Sequence, residues 1–274
     1  LGIIWAIVII PFSVIYLMLL TTSENNLPSI EQLENPRSDE ASLIFSSEGT
    51  QIGSLFIANR TKVNFQALSE YLIEALIATE DERFSKHSGV DGKALLRAVF
   101  GVLTGNNKGG ASTITQQLSK MMFHDRPSSK WERIRQKISE WIIATRLEKR
   151  YTKQEILAMY FNEFDFLNTA VGIHSAARVY FNKAPKELNI QESAMLVGMA
   201  KNPSIFNPVR RPDTTLKRRE VVLYQMKRKG YISKQEYDSI RKLPLGLDFH
   251  PEIHTYGIAP YFRDHVRLKT KKLL

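Results

Sequence analysis

The sequence predicts a mainly α-helical domain with one small β element, set behind an N-terminal membrane-spanning helix. Three observations lead there. Residues 1–20, LGIIWAIVIIPFSVIYLMLL, contain no charged side chain. From residue 64 onward the apolar residues recur at helical spacing rather than alternating. Only residues 42–56 alternate as a pair of strands would. The chain has 274 residues and no cysteine. That length can bury a sizeable core, and disulfides, thiol nucleophiles and cysteine-held metal sites are excluded.

The apolar N-terminus comes first. About 20 helical residues cross a hydrocarbon core of roughly 30 Å. Trp5 and Tyr16 suit such a span, and Pro11 is tolerated in one. A secretory signal peptide has a shorter apolar region that ends in small residues. Here Tyr16, Leu17, Met18, Leu19 and Leu20 fill the end, so the segment reads as an uncleaved anchor over residues 1–22. The chain opens on Leu1, and a cytoplasmic tail is expected before it. Residues 23–59 carry six acidic residues (Glu24, Glu31, Glu34, Asp39, Glu40, Glu48) and one basic residue, Arg37. A flank so poor in Lys and Arg places the rest of the chain on the outer face of the membrane.

Residues 23–41, with Pro28 and Pro36, read as a linker. The segment SLIFSSEGTQIGSLF reads as a hairpin turning at Glu48-Gly49. Leu68, Leu72, Ala75, Leu76 and Thr79 then line one face of a helix that Asn64 can cap. Asp91 caps a second helix through Leu103, and Ser112 starts a third. A long fourth runs from Ser129 to Glu148, with Ile134, Ile138, Trp141, Ile142 and Thr145 on one face. Thr152-Lys153-Gln154-Glu155 and Ser233-Lys234-Gln235-Glu236 are capping boxes. Further helices are expected near 172–180, 190–201 and 213–229. Residues 105–110, Gly-Asn-Asn-Lys-Gly-Gly, join two helices as an exposed connector.

Charge narrows the function. The formal net charge is +10, which invites a nucleic-acid reading. Residues 201–274 hold 17 basic and 7 acidic side chains, leaving 21 of each sign in residues 1–200. The excess therefore belongs to the last quarter, where it can rest on anionic lipid or face a further domain.

Common catalytic signatures are missing: there is no HExxH, Walker loop or GxGxxG. One SxxK, Ser239 to Lys242, lies in a charged helix without SxN or KTG partners and reads as chance. Polar density peaks at residues 79–120. The run TEDERFSKHSGVDG sets Glu80, Asp81, Glu82, Arg83, Lys86 and His87 around Phe84 at the end of an apolar helix. A carboxylate there can serve as a base, although taken alone the run also fits a solvated helix end. GGASTITQQLSK comes next, with Ser112, Thr113, Thr115, Gln116 and Gln117 at a helix start and Lys120 two turns on. Free N–H groups, hydroxyls and a lysine suit an anionic oxygen ligand such as a phosphate. The plainer reading is a polar helix face.

These two segments resemble the first two motifs of glycosyltransferase family 51, the peptidoglycan glycosyltransferases of class A penicillin-binding proteins and their monofunctional relatives. QKISEWIIATRLEKRYTKQEILAMYFN (136–162) resembles the third and fourth motifs, and VGIHSAARVYFNKAPKELNIQESAMLVGMAKNPSIFNP (171–208) the fifth. Five motifs in order span roughly residues 45–230. The resemblance implies a lysozyme-like, mainly helical glycosyltransferase domain, here residues 42–230. The implied substrate is lipid II, a disaccharide-pentapeptide on undecaprenyl diphosphate, added to a growing glycan through a β-1,4 bond with release of the lipid diphosphate.

The same resemblance implies the residue roles. Glu80 falls on the general base, and Asp81, Phe84, His87 and Gly89 on the rest of its motif. Ser112, Thr113, Gln117 and Lys120 fall near the donor diphosphate. Glu140 falls on a second essential Glu, with Lys137 on the basic residue three positions before it. One departure stands out: the third motif usually reads Arg-Lys, and this chain has Gln136-Lys137. Arg135 is one residue early and points about 100° away on a helix.

The residue types fit the chemistry. A sugar hydroxyl needs a base beside it. A diphosphate leaves as an anion and needs positive charge rather than an acid. Lys120 and Lys137 can supply that charge. No cofactor is required, and a divalent cation (Mg or Mn) can add to it, although the metal ligands are unknown. Inversion places base and leaving group on opposite faces of the sugar. A substrate tail held in the bilayer explains the anchor, and Met121, Met122 and Phe123 beside the glycine-rich connector suit a flap toward lipid or plain core filling. GIAPYFRDHVR in residues 231–274 resembles the entry to the linker and transpeptidase domain of bifunctional members. The expected setting is the bacterial cytoplasmic membrane, with a single span and the catalytic domain on the periplasmic face. The expected partners are lipid II, the growing glycan, the membrane and other cell-wall synthesis proteins. A lysozyme-like lytic or hydrolytic enzyme is the alternative, and it needs no TITQQ-Lys motif. A membrane-tethered nucleic-acid binder predicts steeply salt-dependent DNA binding and leaves the motifs of residues 79–208 unexplained.

Overall fold

The structure is a computed structural model. It describes residues 61–105, 110, 112–123 and 127–251, strands 42–45 and 51–55 with their turn at 47–49, and isolated positions 13, 27, 28, 261, 262, 265 and 269. The expected anchor (1–22) and linker (23–41) lie almost wholly outside the described residues, as do 106–109 of the glycine-rich connector and most of 252–274. Among the described residues no helix is long and apolar enough to cross a membrane.

The described chain is mainly helical with one two-stranded hairpin. Strands β1 (Ser42–Phe45) and β2 (Gln51–Leu55) pair antiparallel, with Ser42 opposite Leu55 and a bulge between Ile44 and Phe45. Gly49, at φ +80°, takes the left-handed position in the turn. The chain divides into two compact units, described here one at a time.

One unit comprises residues 38–82 and 157–274. Helix α1 (Glu70–Glu80) buries Leu72, Ala75, Leu76 and Ala78. Asn64 caps a short 3-10 turn, Phe65–Ala67, rather than α1 itself. Leu68 and Ser69 are extended, so the helix restarts at Glu70. The Ser69 hydroxyl donates 2.7 Å to the buried Leu188 carbonyl. Asn162, from the end of helix α5 (Lys153–Glu163), pairs its amide with both main-chain groups of Val63, at 3.0 and 2.9 Å. Helix α6 (Ile173–Phe181) is amphipathic, burying Ile173, Ala176, Ala177, Val179, Tyr180 and Phe181 while Arg178 faces solvent. Helix α7 (Ile190–Ala200) starts at a capping box of Asn189 and Glu192. Helix α8 (Pro212–Arg228) packs on α1 and α7 through Val222, Leu223 and Met226. Helix α9 (Lys234–Ile240) opens from its expected Ser233–Glu236 box. The chain beyond α9 stays attached: Asp248 and His250 donate their N–H groups to the carbonyls of Tyr180 and Val179.

The other unit contains residues 83–156. Helix α2 (Gly92–Leu103) is capped by Asp91, whose Oδ1 accepts from the N–H groups of Lys93 and Ala94. Helix α3 (Ile114–Phe123) starts one residue later than expected. Thr113, not Ser112, accepts the capping N–H, from Gln116. Helix α4 (Lys130–Arg150) begins at Ser129 and carries Glu132 in its first turn and Lys149 and Arg150 in its last, matching the helix dipole. Its inward face differs from the expected one. Ile138, Ser139, Glu140, Ile143, Ala144 and Leu147 are buried, Ile134 is exposed, and Trp141, Ile142 and Thr145 are only half-buried. The face turned inward carries a charged residue, which an apolar count assigns to solvent. Helix α5 (Lys153–Glu163) opens from the Thr152–Glu155 capping box.

Candidate active site

The residues singled out in the sequence fall into two groups. Glu80 and Asp81 belong to the unit of residues 38–82 and 157–274, and the others to the unit of residues 83–156.

Glu80 is the last residue of α1, and Asp81, with φ −155° and ψ 76°, ends the helix. The Glu80 side chain is 17 % exposed. Arg218, on α8, brings a guanidinium Nη2 to 3.5 Å from Glu80 Oε1 and is itself only 10 % exposed. Burial pushes the Arg218 pKa down, and the Glu80 charge opposes that shift. Burial first, and the Glu80 charge second, raise the Tyr160 phenol far above its ordinary value, so it stays protonated. Glu82 sits near Arg228, at 3.4 Å, and pairs with Lys229. A charge count places Arg218 and the neighbouring Arg219 in a surface basic excess. Both are internal, and Arg219 is 1 % exposed. An Arg-Arg doublet read by composition alone gives no sign of that burial.

In the other unit, Lys137 Nζ donates to Ser112 Oγ at 2.9 Å and to Glu140 Oε2 at 2.7 Å. Lys137 is three residues before Glu140 on α4, so the pair shares one helix face. Glu140 is 7 % exposed and Lys137 37 %, which leaves the ammonium facing outward from a buried carboxylate. Lys120 stands exposed in the last turn of α3. Gln117 is half-buried one turn before it.

The remaining motif residues hold this group in place. The Thr113 hydroxyl donates 2.6 Å to the Gly89 carbonyl, and Gln116 Nε2 donates to the same oxygen at 3.2 Å. Phe84 is buried, with Lys153 Nζ 4.2 Å above its ring and His87 edge-on at 6.2 Å. A network that sequence reasoning missed runs beneath them. Glu148 pairs with Lys153 at 2.7 Å and accepts 2.6 Å from Thr115 Oγ1, and Lys153 donates 2.8 Å to the His87 carbonyl. Glu148 and Lys153 lie five apart across the α4–α5 turn, a spacing with no helical signature. Among the described residues no group of three or more carboxylate or imidazole side chains is placed to hold a metal ion.

Comparison with known proteins finds relatives along most of this chain. A family model described as Transglycosylase matches residues 48–227. The chain belongs to the transglycosylase family. It is therefore a glycosyl-transferring enzyme. Its relatives include penicillin-binding protein 1A of Pseudomonas aeruginosa, 35% identical over 264 residues, which covers 95% of this chain and 31% of that protein. Penicillin-binding protein 1F of Bacillus subtilis is 37% identical over 235 residues, covering 85% of this chain and 32% of the relative. The chain thus spans about a third of the length of these relatives. A crystal structure of penicillin-binding protein 1A from Haemophilus influenzae aligns with a TM-score of 0.48 and 23% identity, covering 87% of this chain and 25% of that one.

Proposed function

We propose that this chain is the peptidoglycan glycosyltransferase part of a class A penicillin-binding protein and polymerises lipid II. Glu80 removes the proton from the attacking sugar hydroxyl. The hydroxyl oxygen bonds to the anomeric carbon of the donor sugar, and the carbon–oxygen bond to the lipid diphosphate breaks. The leaving diphosphate carries the electron pair away, and the anomeric carbon inverts. Lys137, Lys120 and the Ser112 hydroxyl stabilise the charge that develops on it.

The observation that carries this reading is the Ser112–Lys137–Glu140 cluster. A buried carboxylate holds a lysine by its ammonium, and a hydroxyl from the segment before α3 joins them. Fixed in this way, the ammonium is already in place when negative charge appears, which is where such groups act most strongly. Gln136 replaces the Arg that the third motif usually shows, so more of the grip falls to Lys137. A divalent cation, if bound beside the leaving diphosphate, would supply further positive charge there.

We place the enzyme at the outer face of the cytoplasmic membrane. Its first 20 residues are uncharged, and its substrate carries a lipid. Leu96 and Phe100 on α2, each 68 % exposed, suit a surface that touches lipid. Met121, Met122 and Phe123 are half-buried, so core packing takes part of their surface.

Incubating the purified chain with lipid II, with and without Mg²⁺, tests the proposal. High-molecular-weight glycan polymer is the expected product. Release of muropeptides from finished cell wall without polymer formation would instead favour a lytic enzyme.

A further inference from the structure

Glu80 closes α1 at the end where the helix dipole is negative and the last carbonyls lack helical partners. A carboxylate is unfavourable there unless a cation faces it. Arg218 is such a cation, and three contacts fix it independently of Glu80. Its Nε donates to the Gly198 carbonyl at 3.2 Å. The Phe206 ring lies 5.7 Å from its guanidinium carbon. Its stem runs over Gly198, where a Cβ would stand 3.2 Å from Arg218 Cγ, so only glycine leaves that path open without displacement.

We propose that Arg218 is the positioning residue for Glu80, holding the carboxylate where it can accept the proton of the attacking hydroxyl. This inference rests on the reading of Glu80 as the base. The geometry suits the role. At 3.5 Å the guanidinium nitrogen is at ion-pair distance from Oε1 and too far for a strong hydrogen bond. At that separation the guanidinium charge orients the carboxylate. Arg218 is anchored to α7 and Glu80 ends α1. The contact therefore joins α8 to α1, two helices that also pack on each other, and side-chain drift of Glu80 is restricted. Misplacing a catalytic group by about 1 Å can lower a rate by about 10²-fold.

The test compares the full chain with Arg218→Gln, Arg218→Lys and Gly198→Ala in steady-state polymerisation of lipid II, with thermal melts recorded for each. Arg218→Gln is expected to lower kcat by about 30- to 100-fold with KM within about threefold. Arg218→Lys keeps the charge but loses the bond to Gly198, so its kcat should fall by only about tenfold. Gly198→Ala should also lower kcat, because it displaces the Arg218 stem. A wild-type kcat in Arg218→Gln overturns the positioning role and leaves the base assignment standing. If Arg218→Gln does not fold, an unchanged kcat in Arg218→Lys overturns it. Full polymerisation by Glu80→Gln alone removes the base assignment, and the inference falls with it.

Discussion

Gly89 lies so close to the backbone of Ala144 that a Cβ on Gly89 would stand 2.7 Å from the Ala144 carbonyl carbon. Gly89 also has φ +91°, a left-handed backbone that side chains rarely adopt. Its carbonyl meanwhile accepts from Thr113 and Gln116. One glycine thus joins the segment before α2, the start of α3 and the middle of α4. Gly89→Ala is expected to destabilise the fold by about 3 kcal/mol. Urea denaturation measures the change. An unfolding free energy within about 0.5 kcal/mol of wild type, the range of neutral surface substitutions, contradicts this packing.

Arg219 donates through Nη1 to the Pro244 carbonyl at 2.7 Å and through Nη2 to the Leu243 carbonyl. A buried charge with two carbonyl partners staples the chain after α9 to α8. Arg219→Ala removes both charge-assisted bonds and leaves two carbonyls without them, a loss of about 3 kcal/mol. Chemical denaturation measures the loss, and limited proteolysis should cut near residues 243–246 first. Unchanged protection of that segment would show that the staple does not hold it.

Leu167, Asn168 and Thr169 have φ of 62°, 51° and 66°, three consecutive left-handed residues without a glycine. Each such residue costs roughly 1–2 kcal/mol. Asn168 recovers part of this by donating to the Tyr180 hydroxyl at 3.0 Å. Thr169 is exposed, and its hydroxyl donates 2.5 Å to the adjacent Asn168 carbonyl, a local bond set against the strain. Thr169→Gly should stabilise the protein by up to ~1 kcal/mol, because glycine adopts φ > 0 without strain. A lower melting temperature would mean that the loop is not strained at this position.

Three carboxylates at helix starts, Glu132, Glu155 and Glu236, have pKa values below the usual carboxylate range. Main-chain N–H groups and hydroxyls hold their charged forms. Their folded-state values are depressed, so the stability they add is present above the unfolded carboxylate range. It is lost as pH falls through the folded values. The melting temperature should therefore drop below about pH 4.3, and Glu236→Gln should drop less steeply than wild type. Parallel curves for the two proteins would remove this contribution.

Much of the helical scaffold is legible in the sequence because its caps are written out. The Thr152, Ser233 and Asp91 caps stand as expected, and α6, α7 and α8 run within about a residue or two of their expected spans. The failures have physical reasons. Apolar periodicity finds Ile138 on the inward face of α4 but misses Glu140, which is buried and ion-paired to Lys137. The Glu80–Arg218 contact links residues 138 positions apart in the chain, from 80 to 218, and no local pattern encodes it. A charge count reads Arg218 and Arg219 as surface because arginine usually is. Within the candidate site, the residue types that can carry chemistry are visible in the sequence. The support beneath them, Glu148 with Lys153 and Thr115, emerges only in the fold.

The central claim is that Glu80 is the base of a lipid II polymerase. Its most direct test is glycan synthesis by Glu80→Gln beside wild type, with lipid II binding measured in parallel. Glutamine keeps the shape and removes the proton acceptor, so polymer should vanish while binding survives. Near-normal polymer from Glu80→Gln would contradict the assignment outright.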